Sequence, residues 1–136
     1  MKELSPSIVL SMKCEIVLPF LPDTWNNLKG RSHWPYKRYK DQVGMFMLQH
    51  RDLTGTHWHD GVRITFVYGF FSNRRQDIDS LCTKPIIDSM VDVGILPDDS
   101  KKILVEVVHR WEFTETKQTK IILEDGLPVP TKTPRK

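Results

Sequence analysis

Cysteine is scarce in this 136-residue chain: Cys14 and Cys82 are the only two, far apart and without a CxxC spacing. That argues against a disulfide framework and a sulfur-ligated zinc site, and fits two reduced, buried thiols. Long apolar runs are missing too. No stretch reaches the ~18 apolar residues of a membrane span, and the N-terminus has no apolar run followed by a small-residue cleavage site. The expectation is a cytoplasmic protein with no membrane partner. A third absence is local: residues Thr24 to Lys40 contain no Asp or Glu, while Lys29, Arg31, Lys37, Arg38 and Lys40 all fall there.

That basic stretch is interleaved with Trp25, Trp34, Tyr36 and Tyr39. Cations meet phosphates and aromatic faces stack on unpaired bases, so the pattern fits contact with DNA. It equally fits a surface loop anchored by its tryptophans with solvated lysines around it. The net charge of +3 conceals a segregation. Of 17 acidic residues, Asp77, Asp79, Asp88, Asp92, Asp98 and Asp99 cluster in sequence, leaving 11 against 20 Lys and Arg elsewhere. A basic body around an acidic spot suits an enzyme that meets nucleic acid through metal ions, and also an ordinary soluble surface.

The length allows one domain with a real core. Residues 1–12 read as a loose lead-in, with Ile8-Val9-Leu10 as a possible extension of the first strand. Lys13 to Leu18 alternates Cys14, Ile16 and Leu18 against polar neighbours, a strand stopped by Pro19 and Pro22. Asp23 to Lys37 reads as a loop. Tyr39, Val43, Met47 and His50 fall at helical spacing from about Tyr36, with Met45-Phe46-Met47 assigned to the core. His57-Trp58-His59 offers two imidazoles with no third ligand nearby, which is weak evidence for a metal. Gly61 to Phe71 is the clearest strand, with Val62, Ile64, Phe66 and Tyr68 on one face.

Ile78, Leu81, Ile86, Ile87, Met90 and Val91 share a helical face that Gly94 ends, with Ser80 or Thr83 as cap and regular helix from one turn before Pro85. Ile103 to Phe113 and Lys117 to Leu123 read as an antiparallel hairpin around Thr114-Glu115-Thr116, with Val105, Val107 and His109 on one face of its first strand. After residue 124 the tail lacks apolar anchors and reads as disordered and basic. The order β, α, β, α, β, β predicts a small α/β or α+β domain, a mixed sheet of about four strands with two helices.

Asp77 and Asp79 are two apart, and in extended backbone they point to the same side. With Asp99, and Asp98 beside it, they supply hard oxygens suited to Mg²⁺ or Mn²⁺. Such a site activates a water and neutralises charge on a leaving phosphate oxygen, which is phosphodiester hydrolysis. A calcium EF-hand loop is excluded, because its fifth and sixth positions are Leu81 and Cys82 here. The bland reading stays open: Asp77 and Asp79 serving a helix N-terminus, and Pro97-Asp98-Asp99 an ordinary turn.

Taken together, Asp77-Ile78-Asp79-Ser80-Leu81, Lys84-Pro85-Ile86-Ile87-Asp88 and Gly94-Ile95-Leu96-Pro97-Asp98-Asp99 resemble the signature of the RusA family of Holliday junction resolvases. Leu18-Pro19-Phe20-Leu21-Pro22 with Asn26 and Asn27 resembles that family's strand-to-loop opening, and the likeness runs from Cys14 to Leu123. The resemblance implies a small homodimeric Mg²⁺-dependent endonuclease, often encoded by phages or prophages, that places paired nicks across four-way DNA in a bacterial cell, without an organic cofactor. It implies Asp77, Asp79 and Asp99 as metal ligands and catalytic carboxylates, and Lys84 as the lysine near the scissile phosphate. Arg74, Arg75, Lys101 and Lys102 join the basic stretch as DNA contacts. Two positions depart from the family pattern: Ser80 stands for the usual Asn, and one extra residue, Cys82 or Thr83, separates Leu81 from Lys84. In a continuous helix that residue would rotate Lys84 by about 100°. A nuclease of broader taste for branched or single-stranded DNA, and a junction-binding protein without turnover, are the alternatives.

Overall fold

The computed structural model describes residues 13–24, 34–53, 58, 61–73 and 78–126. Among the described residues six regular elements follow in the expected order: β1 (Lys13–Leu18), α1 (Trp34–Leu48), β2 (Val62–Phe70), α2 (Lys84–Asp92), β3 (Leu104–Phe113) and β4 (Gln118–Asp125). Four strands form one mixed sheet in the order β1-β4-β2-β3. Together with two helices this is the expected small α+β domain. The readings of residues 1–12 and 127–136 lie outside the described residues. No helix among the described residues is long and apolar enough to cross a membrane.

Alternation decides which sheet face is buried. Ile16 and Leu18 of β1, Ile121 and Leu123 of β4, and Val62, Ile64, Phe66 and Tyr68 of β2 all enter one core with Tyr39, Val43 and Met47 of α1 and Ile86 and Met90 of α2. Two layers result, with both helices on the same side. Met45 is exposed while Met47 is fully buried, so the Met45-Phe46-Met47 cluster is split by the helical period rather than wholly interior. Trp58 is buried in the core; His57 and His59 lie outside the described residues. Cys82 is buried and Cys14 half-buried, and neither is disulfide-bonded.

Two local expectations are overturned. Trp34 already opens α1, so the loop reading of Asp23 to Lys37 runs too long at its end. More important, β3 and β4 do not form a hairpin. β2 lies between them, parallel to β3 and antiparallel to β4. A short link normally joins neighbouring strands, but residues 114–117 can span two strand spacings of ~4.8 Å at ~3.3 Å per residue. The link crosses the end of β2, where the Thr114 amide donates to the Phe70 carbonyl at 2.9 Å.

The crossing explains Gly69. A Cβ there would lie 2.5 Å from Thr114 Oγ1, 2.7 Å from Thr114 Cγ2 and 2.7 Å from Gln118 Cγ. Thr114 cannot easily yield, since its hydroxyl donates to the Thr116 carbonyl at 2.6 Å. Gly69→Ala is therefore expected to cost about 1–3 kcal/mol. In urea denaturation the double variant Gly69→Ala/Thr114→Ala should lose less than the sum of the two single changes; strict additivity would refute the contact.

Candidate metal and nucleic-acid site

The segment before α2 is not one helix. Ile78–Ser80 is a single 3-10 turn, Leu81 to Thr83 is non-helical, and α2 starts only at Lys84. Pro85 stands in its first turn, where a missing N–H costs nothing. The backbone upstream is committed elsewhere: Leu81 bridges Thr24, the Cys82 amide donates to the Asp23 carbonyl at 2.7 Å, and the Tyr39 hydroxyl donates to the Cys82 carbonyl at 3.3 Å. The apolar side chains still follow the expected face, with Ile78, Ile87 and Val91 packed against the core. Thr83 holds the N-cap position, but its side chain makes no capping bond, and Ser80 lies too early to serve.

α2 ends as glycine predicts. Gly94 has φ 87°, the Ile95 amide donates to the Met90 carbonyl at 2.9 Å and the Gly94 amide to Val91 at 3.0 Å, a Schellman closure. The chain then passes Pro97-Asp98-Asp99 on its way into β3.

These elements place the predicted carboxylates. Asp77 lies outside the described residues, as does the side chain of Asp79. The backbone of Asp79 is in the 3-10 turn rather than extended, and the expected alternation with Asp77 lies outside the described residues. That turn lies against β3. Asp99 is exposed in the loop leading into β3 and makes no hydrogen bond or ion pair among the described residues. Asp98 is differently employed. Its Oδ1 accepts the Ser100 amide at 2.7 Å, and hydrogen bonds from Ser100, side chain first and backbone second, hold its carboxyl below the ordinary value. Among the described residues no three carboxylate, imidazole or thiol groups meet at one point. Asp99, exposed and uncommitted, fits a hard-cation ligand; Asp98 fits a turn.

Lys84 is exposed at the first position of α2, with Nζ 3.6 Å from Asp88 Oδ2. A cation at a helix N-terminus opposes the dipole, and Asp88 offsets this only in part. Asp88 is shared, accepting the Tyr36 hydroxyl at 2.6 Å. The extra residue before Lys84 falls in the non-helical link, so it turns no helix.

The basic stretch divides sharply. Lys37 pairs with Asp41 at 3.0 Å, both exposed, and Lys40 with Asp92 at 2.8 Å, joining α1 to the end of α2. The Asp92 hydrogen bond also raises the Lys40 pKa. Arg38, Lys101 and Lys102 are exposed and make no ion pair among the described residues. Lys29, Arg31, Arg74, Arg75 and Trp25, and the side chain of Trp34, lie outside the described residues. Tyr39 is withdrawn from any stacking role because it is buried in the core, and Tyr36 is half-buried and bonded to Asp88.

One arrangement escaped the sequence. His109 on β3 stacks on Phe66 and Tyr68 of β2, with centroids 5.6 and 5.9 Å apart, and its Nδ1 is 2.6 Å from the Tyr68 hydroxyl. Burial raises the Tyr68 phenol, so the hydroxyl keeps its proton, and which of the two donates depends on the tautomer of His109. Only the parallel pairing of β2 with β3 sets His109 opposite Phe66, and the expected hairpin concealed it.

No family model matches this chain, and no curated protein does.

Desolvation lowers the pKa of His109. The fold therefore holds this imidazole neutral at pH values where the unfolded chain already binds a proton. Its contribution is complete above the ordinary value of ~6.5 and is lost as pH falls through the folded value. The urea midpoint should decline on acidification from about pH 7.5 to about pH 5.5. His109→Gln should flatten that slope, and an unchanged slope would remove His109 as its source.

Proposed function

We propose that this chain is a divalent-metal-dependent endonuclease of the RusA type that resolves four-way DNA junctions by paired nicks. The observation that carries the reading is that two motif segments border one strand: the turn bearing Asp79 lies against β3, and the loop bearing Asp99, exposed and without a hydrogen bond or ion pair among the described residues, leads into it. Twenty residues separate the two in sequence. Asp77 lies two positions before Asp79 in the chain and is the third ligand of the reading.

Hard oxygens of this kind suit Mg²⁺, which supplies an activated water and charge neutralisation at the leaving oxygen. The remaining work falls to the chain itself. Lys84, five residues beyond Asp79, offers a point charge to a phosphate oxygen. Arg38, Lys101 and Lys102 hold backbone phosphates and carry no sequence information. Lys101 and Lys102 follow Asp99 with only Ser100 between, so a strand gripped there passes close to Asp99. Asp98 holds the turn that presents Asp99 and is no ligand in this reading.

An end-labelled mobile junction and a linear duplex of matching sequence, each incubated with Mg²⁺ and with EDTA, test it. Symmetric nicks in the junction alone, only with metal, are expected. Asp99→Asn should lower the cleavage rate by about 10²–10³-fold or more and spare junction binding. Asp98→Asn, which keeps the oxygen that accepts from Ser100, should stay within a few-fold of wild type. Wild-type cutting by Asp99→Asn would sink the site. Equal cutting of both DNAs would indicate a general nuclease, and binding without products a junction-binding protein.

A further inference from the structure

Lys84 stands where a helix least favours a cation. It opens α2, so its charge opposes the helix dipole, and its ion-pair partner Asp88 lies four residues further on, the weaker of the two orders for such a pair. α1 carries a pair of the same spacing and order, Lys37 with Asp41, but the two carboxylates are held differently. The side chain of Asp41 is 65 % exposed and that of Asp88 20 %. Asp88 is also pinned from outside its own helix. The Tyr36 hydroxyl, in the first turn of α1, donates to Asp88 Oδ2 at 2.6 Å. Burial first, and that bond second, raise the Tyr36 pKa, so the phenol keeps the proton it donates.

The helices are fastened around this carboxylate. Tyr36 meets Asp88 and, one turn on, Lys40 meets Asp92 at 2.8 Å, so α1 and α2 run side by side in the same direction. Between those links the buried Ser89 hydroxyl donates to the Lys40 carbonyl at 3.4 Å. One face of α2 is therefore fixed against α1 at the residue that faces Lys84.

The oxygen that accepts from Tyr36 lies 3.6 Å from Lys84 Nζ. That separation makes an ion pair but is too long for a hydrogen bond, which between an ammonium and a carboxylate runs to about 2.7–2.9 Å. Asp88 attracts the ammonium without taking its hydrogens. Lys84, with its side chain 56 % exposed, keeps its donors for an acceptor from outside. A lysine steered by a fixed anion has also lost part of its rotamer freedom before contact, which lowers the cost of meeting a ligand. Tyr36 belongs to none of the motif segments that resemble the resolvases, so the pinning is a property of this chain.

We propose that Asp88, pinned by Tyr36, is a positioning residue that holds the Lys84 ammonium in place for a phosphate oxygen of the DNA. On the nuclease reading, on which this rests, Asp88 acts on the cleavage rate through Lys84 and touches neither the scissile phosphate nor the metal.

Asp88→Asn tests it, because the change removes the charge and keeps an oxygen for the Tyr36 hydroxyl. With Mg²⁺ and saturating four-way junction its single-turnover rate should fall about tenfold, with junction affinity no weaker and the urea midpoint unchanged. In a Lys84→Ala background the same change should cost nothing further. Tyr36→Phe should slow cleavage in the same sense and likewise lose its effect without Lys84. Side-chain relaxation NMR at Lys84 Cε in the full chain gives a readout independent of cutting, and its order parameter should drop in Asp88→Asn. A loss that adds to that of Lys84→Ala, a loss of affinity in place of rate, or an unchanged Cε order parameter would overturn the positioning role and leave the nuclease reading standing. A wild-type chain that cuts no junction would remove that reading and this role with it.

Discussion

The position of β2 between β3 and β4 is the constraint on which the rest depends. It is hydrogen-bonded along both edges, and from Val62 to Gly69 every residue but Arg63 is buried. A strand so placed reads as a near-continuous apolar run because both faces are shielded. Its parallel partner β3 demands a crossover, and α2 supplies it. Its antiparallel partner β4 demands that the link after β3 step over the end of β2, which only a residue without a side chain at Gly69 permits. The parallel pairing also puts His109 beside Phe66 and Tyr68, and it leaves the far edge of β3 open.

Periodicity was a sound guide wherever one face packs against a layer. β1, α1 and β2 are legible because Ile16, Val43 and Ile64 repeat at strand or helix spacing, and Gly94 is legible because a helix end wants a left-handed residue. What periodicity cannot carry is partnership. The strands around Thr114 have the composition of a hairpin, and nothing within them reveals that β2 binds each more extensively than they bind one another. Length misleads in the same way at Met45, which sits in an apolar triplet yet faces outward because the helix turns 100° per residue.

The candidate site was legible as residue types and less so as geometry. Asp99 and Lys84 are both exposed. Asp98 was not separable from Asp99 by sequence, since both are aspartates in a turn, and only the Ser100 amide tells them apart. Tyr36 and Tyr39 show the converse error. Aromatics between lysines look like a stacking surface, but helical spacing turns Tyr39 inward while Lys37 and Arg38 face out.

The irregular link before α2 has a cause that bears on how Asp79 is held. Helix does not extend back through residues 81–83, because Pro85 has no N–H to donate to the carbonyl of Leu81 and its ring clashes there, and the amide of Cys82 is already given to Asp23. The carbonyl of Cys82 likewise receives the Tyr39 hydroxyl. Asp79 is thus anchored through the segment that follows β1 and through α1, rather than through the helix it precedes. The Thr119 hydroxyl, buried in the core, donates to the Phe20 carbonyl at 2.6 Å and fixes that same segment to the sheet. The turn bearing Asp79 therefore inherits the rigidity of β1 and β4, while Asp99, past the Schellman closure, inherits that of α2 and β3. The two carboxylate segments, one tied to the segment after β1 and the other leading into β3, hold their spacing only as well as β2 holds those strands in one sheet.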